Sequence, residues 1–331
     1  MKKVLFVLGV IIVLFSFSGC NNYQTAKSFQ EEAIENGFNN LLVGGNLAYC
    51  DNALYYYSNL YPNAGVMNAY EFTDKGKTKM LSDKKIPTIY FKGFYGFNNK
   101  LYSCLEDNDF LSVYDSKNRK FVKSDTDIKI KSYAYYLSDD LIISYKNSKT
   151  LKVNYKEKTC AVTLESGIDN FYPVGEIIYL QNDRGALYSF NLKTPEKEPK
   201  FIDELANDGS YKVFSVCGDY VYYDYYREDG EVTNGLYRFS LNNKTHQLVT
   251  DKEVSCVNSW NNKFYFVADG NLYLDKLKAS PIKISDLKTQ SIYIFDNKWI
   301  YLDDLEGNVY RINHNGTVIE KIDILTIGQL K

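Results

Sequence analysis

A short motif recurs along this chain, and it constrains the fold more than any other feature. A polar turn of Asn, Asp or Gly leads into an apolar, aromatic strand. The seven copies begin at Leu54-Tyr55-Tyr56-Tyr57, Leu101-Tyr102-Ser103-Cys104, Leu141-Ile142-Ile143, Ile177-Ile178-Tyr179-Leu180, Tyr220-Val221-Tyr222-Tyr223, Phe264-Tyr265-Phe266 and Trp299-Ile300-Tyr301-Leu302. Leu54 and Trp299 stand six intervals apart, about 41 residues each. Four-stranded propeller blades recur at roughly 40–50 residues.

More strands surround each copy. Downstream, Leu187-Tyr188-Ser189-Phe190, Leu236-Tyr237-Arg238-Phe239, Leu272-Tyr273-Leu274 and Val309-Tyr310-Arg311-Ile312 follow a glycine and alternate in polarity, as half-buried strands do. Weaker outer strands come next, such as Gln247-Leu248-Val249 and Val318 to Ile322. Innermost strands precede each motif, for example Val213 to Val216 and Ser291 to Ile294. A four-stranded sheet buries both faces only against neighbours, and radial closure supplies them all. The expected fold is therefore all-β: a seven-bladed β-propeller of four-stranded antiparallel blades over residues 41–331. Six or eight blades stay open, because copies one and three fit least well. Leu41-Leu42-Val43 and Ile324 to Ile327 are candidates for extra closing strands. The many tyrosines read as inter-blade packing.

The last copies carry a resemblance. Trp299-Ile300-Tyr301-Leu302-Asp303, Gly307 to Ile312 and Asn315-Gly316-Thr317 resemble propeller repeats of secreted and lipid-anchored bacterial proteins. Those repeats are themselves similar to the YWTD propeller of lipoprotein receptors. The resemblance spans about residues 41–323. It implies a propeller and no ligand, since that bacterial family is largely uncharacterised. The YWTD tetrapeptide is absent, so no receptor residue carries over.

The N-terminus reads as an export signal. Lys2 and Lys3 precede an apolar run from Val4 to Phe17, shorter than the roughly 20 residues of a membrane span. Phe17-Ser18-Gly19-Cys20 then resembles a bacterial lipobox, with Phe17 in place of the usual Leu. The resemblance implies a signal peptide over 1–19, cleavage before Cys20, and a lipidated Cys20. Two-chain lipidation gives stable attachment, here to the outer, extracytoplasmic face of the cell membrane. Residues 20–40 form a polar tether, in which Phe29, Ala33 and Ile34 allow a short helix or an extended leader.

Several functions are disfavoured by what is missing. The net charge of −2 becomes −4 once residues 1–19, with two lysines and no acid, are removed. There is no basic block, so nucleic acid is not an expected partner. Cys50, Cys104, Cys160, Cys217 and Cys256 are odd in number and form no CxxC, which suits small strand residues better than a disulfide framework or zinc. Their disulfide state is left open. The only histidines, His246 and His314, fall at hairpin turns. Asp303, Asp304, Glu306 and Asn308 have the polarity for calcium without EF-hand spacing, and a tight hairpin needs such residues anyway. No cofactor, metal or catalytic residue is expected.

Function then falls to loops on a rigid scaffold. Two connections between second and third strands are long: Ser58 to Gly65 and Asp224 to Glu231. Tyr57, Tyr61, Tyr225, Tyr226, Arg227 and Glu228 are the candidate ligand-binding residues, the tyrosines for stacking and Arg227 for a ligand carboxylate. The reading is a monomeric binding or scaffold module for a glycan, a peptide or an envelope protein. The alternative is a glycan- or peptide-processing enzyme using channel carboxylates.

Overall fold

The computed structural model describes residues 40, 47–50, 53–58, 66–72, 78–80, 91–97, 100–105, 111–115, 117–118, 120–124, 134–138, 140–205, 213–225, 233–277 and 279–322. Within them the chain is an all-β propeller of four-stranded antiparallel sheets. Six blades follow one another and are numbered here two to seven after their repeat copies. Ahead of them, the sheet of copy one joins β1 (Leu47–Cys50), β2 (Ala53–Ser58), β3 (Val66–Phe72) and β4 (Thr78–Met80).

Blade two holds β5 (Phe91–Phe97), β6 (Lys100–Leu105), β7 (Leu111–Asp115) and β8 (Lys120–Lys123). Blade three holds β9 (Ala134–Ser138), β10 (Leu141–Asn147), β11 (Thr150–Tyr155) and β12 (Lys158–Thr163). Blade four holds β13 (Ile168–Val174), β14 (Ile177–Asn182), β15 (Ala186–Asn191) and β16 (Lys200–Glu204). Blade five holds β17 (Phe214–Cys217), β18 (Tyr220–Tyr225), β19 (Gly235–Ser240) and β20 (His246–Thr250). Blade six holds β21 (Val254–Trp260), β22 (Lys263–Ala268), β23 (Asn271–Leu274) and β24 (Ile282–Ser285). Blade seven holds β25 (Ser291–Ile294), β26 (Trp299–Asp303), β27 (Val309–Asn313) and β28 (Ile319–Ile322). The candidate closing strands at 41–43 and 324–327 lie outside the described residues.

Every strand pairs with its neighbour in sequence, so each blade is a meander built from local contacts. First strands of successive blades lie side by side, as β13 does with β17, β17 with β21 and β21 with β25. They therefore surround the axis, and fourth strands form the rim. The first hairpin of blade six turns through Asn261 and Asn262, at φ 48° and 57°. A two-residue type I′ turn demands positive φ at both positions, which asparagine tolerates.

Alternation along the second strands produces the inter-blade core. Ile300 and Leu302 pack towards blade six, against Tyr265, Val267 and Leu272. Their neighbour Tyr301 points the other way and shares a cluster with Leu47, Leu54, Tyr293, Val309 and Ile322. The sheet of copy one thus packs on blade seven. Tyr222 and Tyr265 occupy the same register as Tyr301, and both are fully buried. Tyr222 stacks on Phe264 of the next blade with ring centroids 3.5 Å apart. The tyrosine stripe is packing, as its periodicity suggests. Cys217 and Cys256 are buried in strands, Cys160 is half-buried, and none of these three is in a disulfide. Burial pushes the Cys256 thiol up to about 12.

Trp299 opens β26 and is only half-buried, packed on the edge of the cluster shared with copy one. Its ring lies beneath the Arg311 guanidinium (4.5 Å) and the Lys298 ammonium (5.5 Å).

Candidate functional site

Blades splay outwards, so each inter-blade wedge must be filled by side chains or left as a groove. Cross-strand rows decide which. From blade six towards seven the row is Tyr265, Leu274 and Ile282, all apolar. From blade five towards six it is Tyr222, Arg238 and Gln247. There Arg238 is bound to Asp275 of blade six at 2.5 Å, with side chains only 3% and 1% exposed. In blade three the corresponding rows, Ile143 with Val153 and Cys160, and Tyr145 with Leu151 and Val162, are apolar as well, and Tyr135 and Tyr145 meet Phe171 of blade four at 5.2 and 5.7 Å. Beyond these rows, at the corner where the connection 164–167 meets the turn 182–184, the wedge stays open.

The result is a groove of about 910 Å³ between blades three and four. Blade three contributes Lys149, Ala161, Thr163 and the connection from Leu164 to Gly167. Blade four contributes the turn Asn182-Asp183-Arg184, the β15 residues Tyr188 and Phe190, and the loop Pro195 to Pro199. Its size lies within the range of small-molecule sites. The aromatic wall continues past the groove, because half-buried Tyr188 meets Phe201 edge-on at 5.6 Å and Phe201 is 51% exposed.

One end of the groove is pre-organised by hydrogen bonds between two turns. Asn182 Nδ2 donates to Ser166 Oγ (2.8 Å), and Gly167 N donates to Asp183 Oδ2 (3.2 Å). Asn182 Oδ1 also accepts from Arg184 N and Ala186 N, which fixes its own turn. Lys149, Arg184 and Lys197 face Glu165, Asp183, Glu196 and Glu198 around the rim, so neither sign dominates. No histidine or cysteine is among the described groove residues. An aromatic wall with a ring of mixed polar groups can stack on a ring and hydrogen-bond hydroxyls or amides.

A smaller cavity of about 300 Å³ lies between blades five and six, beside Tyr220, Arg238 and Gln247. The guanidinium there has spent its donors. Nη1 binds both Asp275 oxygens, Nε and Nη2 bind Gln247 Oε1, and Nη2 binds the Leu277 carbonyl. This cluster clips two blades and offers no free donor to an anion.

Of the residues singled out from sequence, Cys20, Tyr61, Tyr226, Arg227 and Glu228 lie outside the described residues. Tyr57 is in β2, and its side chain is likewise outside them. Tyr225 ends β18 and is 9% exposed within the core, with Tyr237 edge-on at 5.9 Å. Its ring is a packing element and not an open stacking platform. A strand-terminal tyrosine still points into the inter-blade space, which the loop reading overlooked.

Both histidines are structural. Tyr223 OH lies 2.8 Å from His246 Nδ1 within blade five. His314 joins two blades: Tyr265 OH of blade six lies 2.7 Å from its Nδ1, and its Nε2 is 3.2 Å from the Asp296 carbonyl. Burial lowers the pKa of each. Asp304 Oδ1 accepts from Glu306 N and Asn308 N, and its Oδ2 from Asn308 Nδ2, so the acidic loop uses its carboxylate to hold the hairpin. The groove residues escaped the loop-based reading.

No family model matches this chain, and no curated protein matches it. Solved structures do. A chain of the mitotic checkpoint complex aligns at TM-score 0.53 and 11% identity, over 82% of this chain and 90% of that one. Hsv2 of Kluyveromyces lactis aligns at TM-score 0.51 and 11% identity, over 84% and 97%. The extracellular domain of the putative one component system BT4673 from B. thetaiotaomicron aligns at TM-score 0.54 and 14% identity, over 81% of this chain and 40% of that one. At such identities the likeness shows the fold alone, a β-propeller.

Proposed function

We propose that this protein is a membrane-anchored, extracytoplasmic binding or scaffold module that holds its ligand along the groove between blades three and four. The groove carries this reading: a pre-organised, aromatic-walled cleft of about 910 Å³ on a rigid β-scaffold. The sheet of copy one is the seventh blade of a closed ring. Its Leu47 and Leu54 share a core with Tyr293, Tyr301 and Val309 of blade seven, and Tyr49 lies 6.3 Å from Phe295. Lipid on Cys20 fixes the ring to the outer membrane face as a monomer, without a cofactor.

The groove's mixed charge and half-buried Tyr188 suit a glycan or an extended peptide of an envelope partner better than a strongly charged ligand. The test is to screen the soluble domain on glycan and peptide arrays and follow each bound ligand over time. Ligands retained unaltered support a binding module. Cleavage of the ligand points instead to the enzyme alternative, and an absence of binding on both arrays contradicts the reading.

A further inference from the structure

Among the described residues no strand is hydrogen-bonded to the inner edge of β25, and its backbone groups there are paired by two asparagine side chains. Asn40, from ahead of the first sheet, is buried there at 5% exposure. Its Nδ2 donates to Ile294 O (2.9 Å), and its Oδ1 accepts from Ile294 N (3.0 Å). The same Oδ1 accepts from Asn258 Nδ2 (2.8 Å) on the first strand of blade six. Asn258 Nδ2 also donates to Ile292 O (2.7 Å), while Asn258 Oδ1 accepts from Ser259 N (2.8 Å).

A carboxamide presents donors on one side and an acceptor on the other, so one asparagine can answer both backbone groups of a single residue, as a neighbouring strand does. Alanine offers neither group, and aspartate turns a carboxylate oxygen towards the Ile294 carbonyl. An edge strand with unpaired N–H and C=O groups must be covered, and a buried pair left open is costly. Ile294 and Asn40 are 254 residues apart, so no repeat-level contact supplies this pairing.

We propose that Asn40 is an axial latch. Asn40 sits against the first strands of blades six and seven and locks them together through Asn258 and Ile294.

Amide hydrogen exchange on the full chain, read at Ile294, tests this. The wild-type Ile294 amide is expected to be strongly protected. Asn40→Ala should speed its exchange by about tenfold or more, while the amides of β14 keep their wild-type rates. Asn40→Asp should do the same. Asn258→Ala should loosen the same site, and the double variant should exchange more slowly than the product of the single effects predicts. An Ile294 amide that exchanges like a free peptide in the wild type overturns the latch, even if a variant fails to fold. So does an Asn40→Ala protein whose Ile294 rate stays within about twofold of wild type.

Discussion

Replacing Asp275 by alanine should be among the most damaging changes a single side chain can bring to this ring. Asp275 is 6% exposed, and its carboxylate accepts from Arg238 at 2.5 and 2.6 Å, from Tyr222 OH at 2.8 Å and from Leu277 N at 3.1 Å. Alanine leaves the Arg238 guanidinium as a buried charge without a counter-ion, and two further donors without acceptors. Breaking a buried pair from one side costs about 3–5 kcal/mol. For a domain of this size each kcal/mol moves the midpoint by about 2–4 °C. Thermal unfolding followed by circular dichroism should therefore drop by roughly 6 °C at least, on those scales. Removing both charges, as in Asp275→Leu with Arg238→Met, should recover most of the loss, because no charge then stays buried alone. A single variant within about 2 °C of wild type would refute the reasoning, as would a double variant less stable than the single one.

Three further outcomes follow from named contacts. His314 is held neutral in the fold, so its contribution is complete above the unfolded pKa of about 6.5 and is lost as pH falls through its lowered folded value; the midpoint should drop between pH 7.5 and 5.5, and His314→Gln should flatten that slope. Trp299→Ala should cost about 1–3 kcal/mol in denaturant titrations, less than a fully buried indole, because its ring is half-buried under Arg311 and Lys298. Cys20→Ala should release the protein from the membrane fraction or leave uncleaved precursor, and mature protein that stays membrane-bound would contradict the anchor.

Blades four to seven were legible because each strand alternates in polarity and each turn carries Asn, Asp or Gly. Their second strands begin within one residue of the motif positions, as Ile177, Tyr220 and Trp299 open β14, β18 and β26. The tyrosine stripe was legible as packing for the same reason. What stayed hidden depends on contacts between distant residues. Arg238 reads as a surface residue of an alternating strand until Asp275, 37 positions on, is seen to neutralise it. Asn40 reads as the end of a tether, because nothing local tells that Ile294 offers it two backbone groups. Tyr225 reads as a loop residue, although it is the last inward-facing position of β18. The groove was hidden because it forms where the connection 164–167 of blade three meets the turn 182–184 of blade four, and no local pattern announces that meeting.

The central claim is that the open wedge between blades three and four takes the ligand. Tyr188→Ala tests it most directly, since Tyr188 is half-buried on the groove wall and its loss removes the aromatic surface offered to a ligand. Wild type and this variant are to be compared on the same glycan and peptide arrays, with matched melting curves to show an intact fold. The account predicts that bound ligands are lost, or weakened by about tenfold or more, in the variant. Identical binding profiles for the two proteins would place the ligand elsewhere on the ring and contradict it.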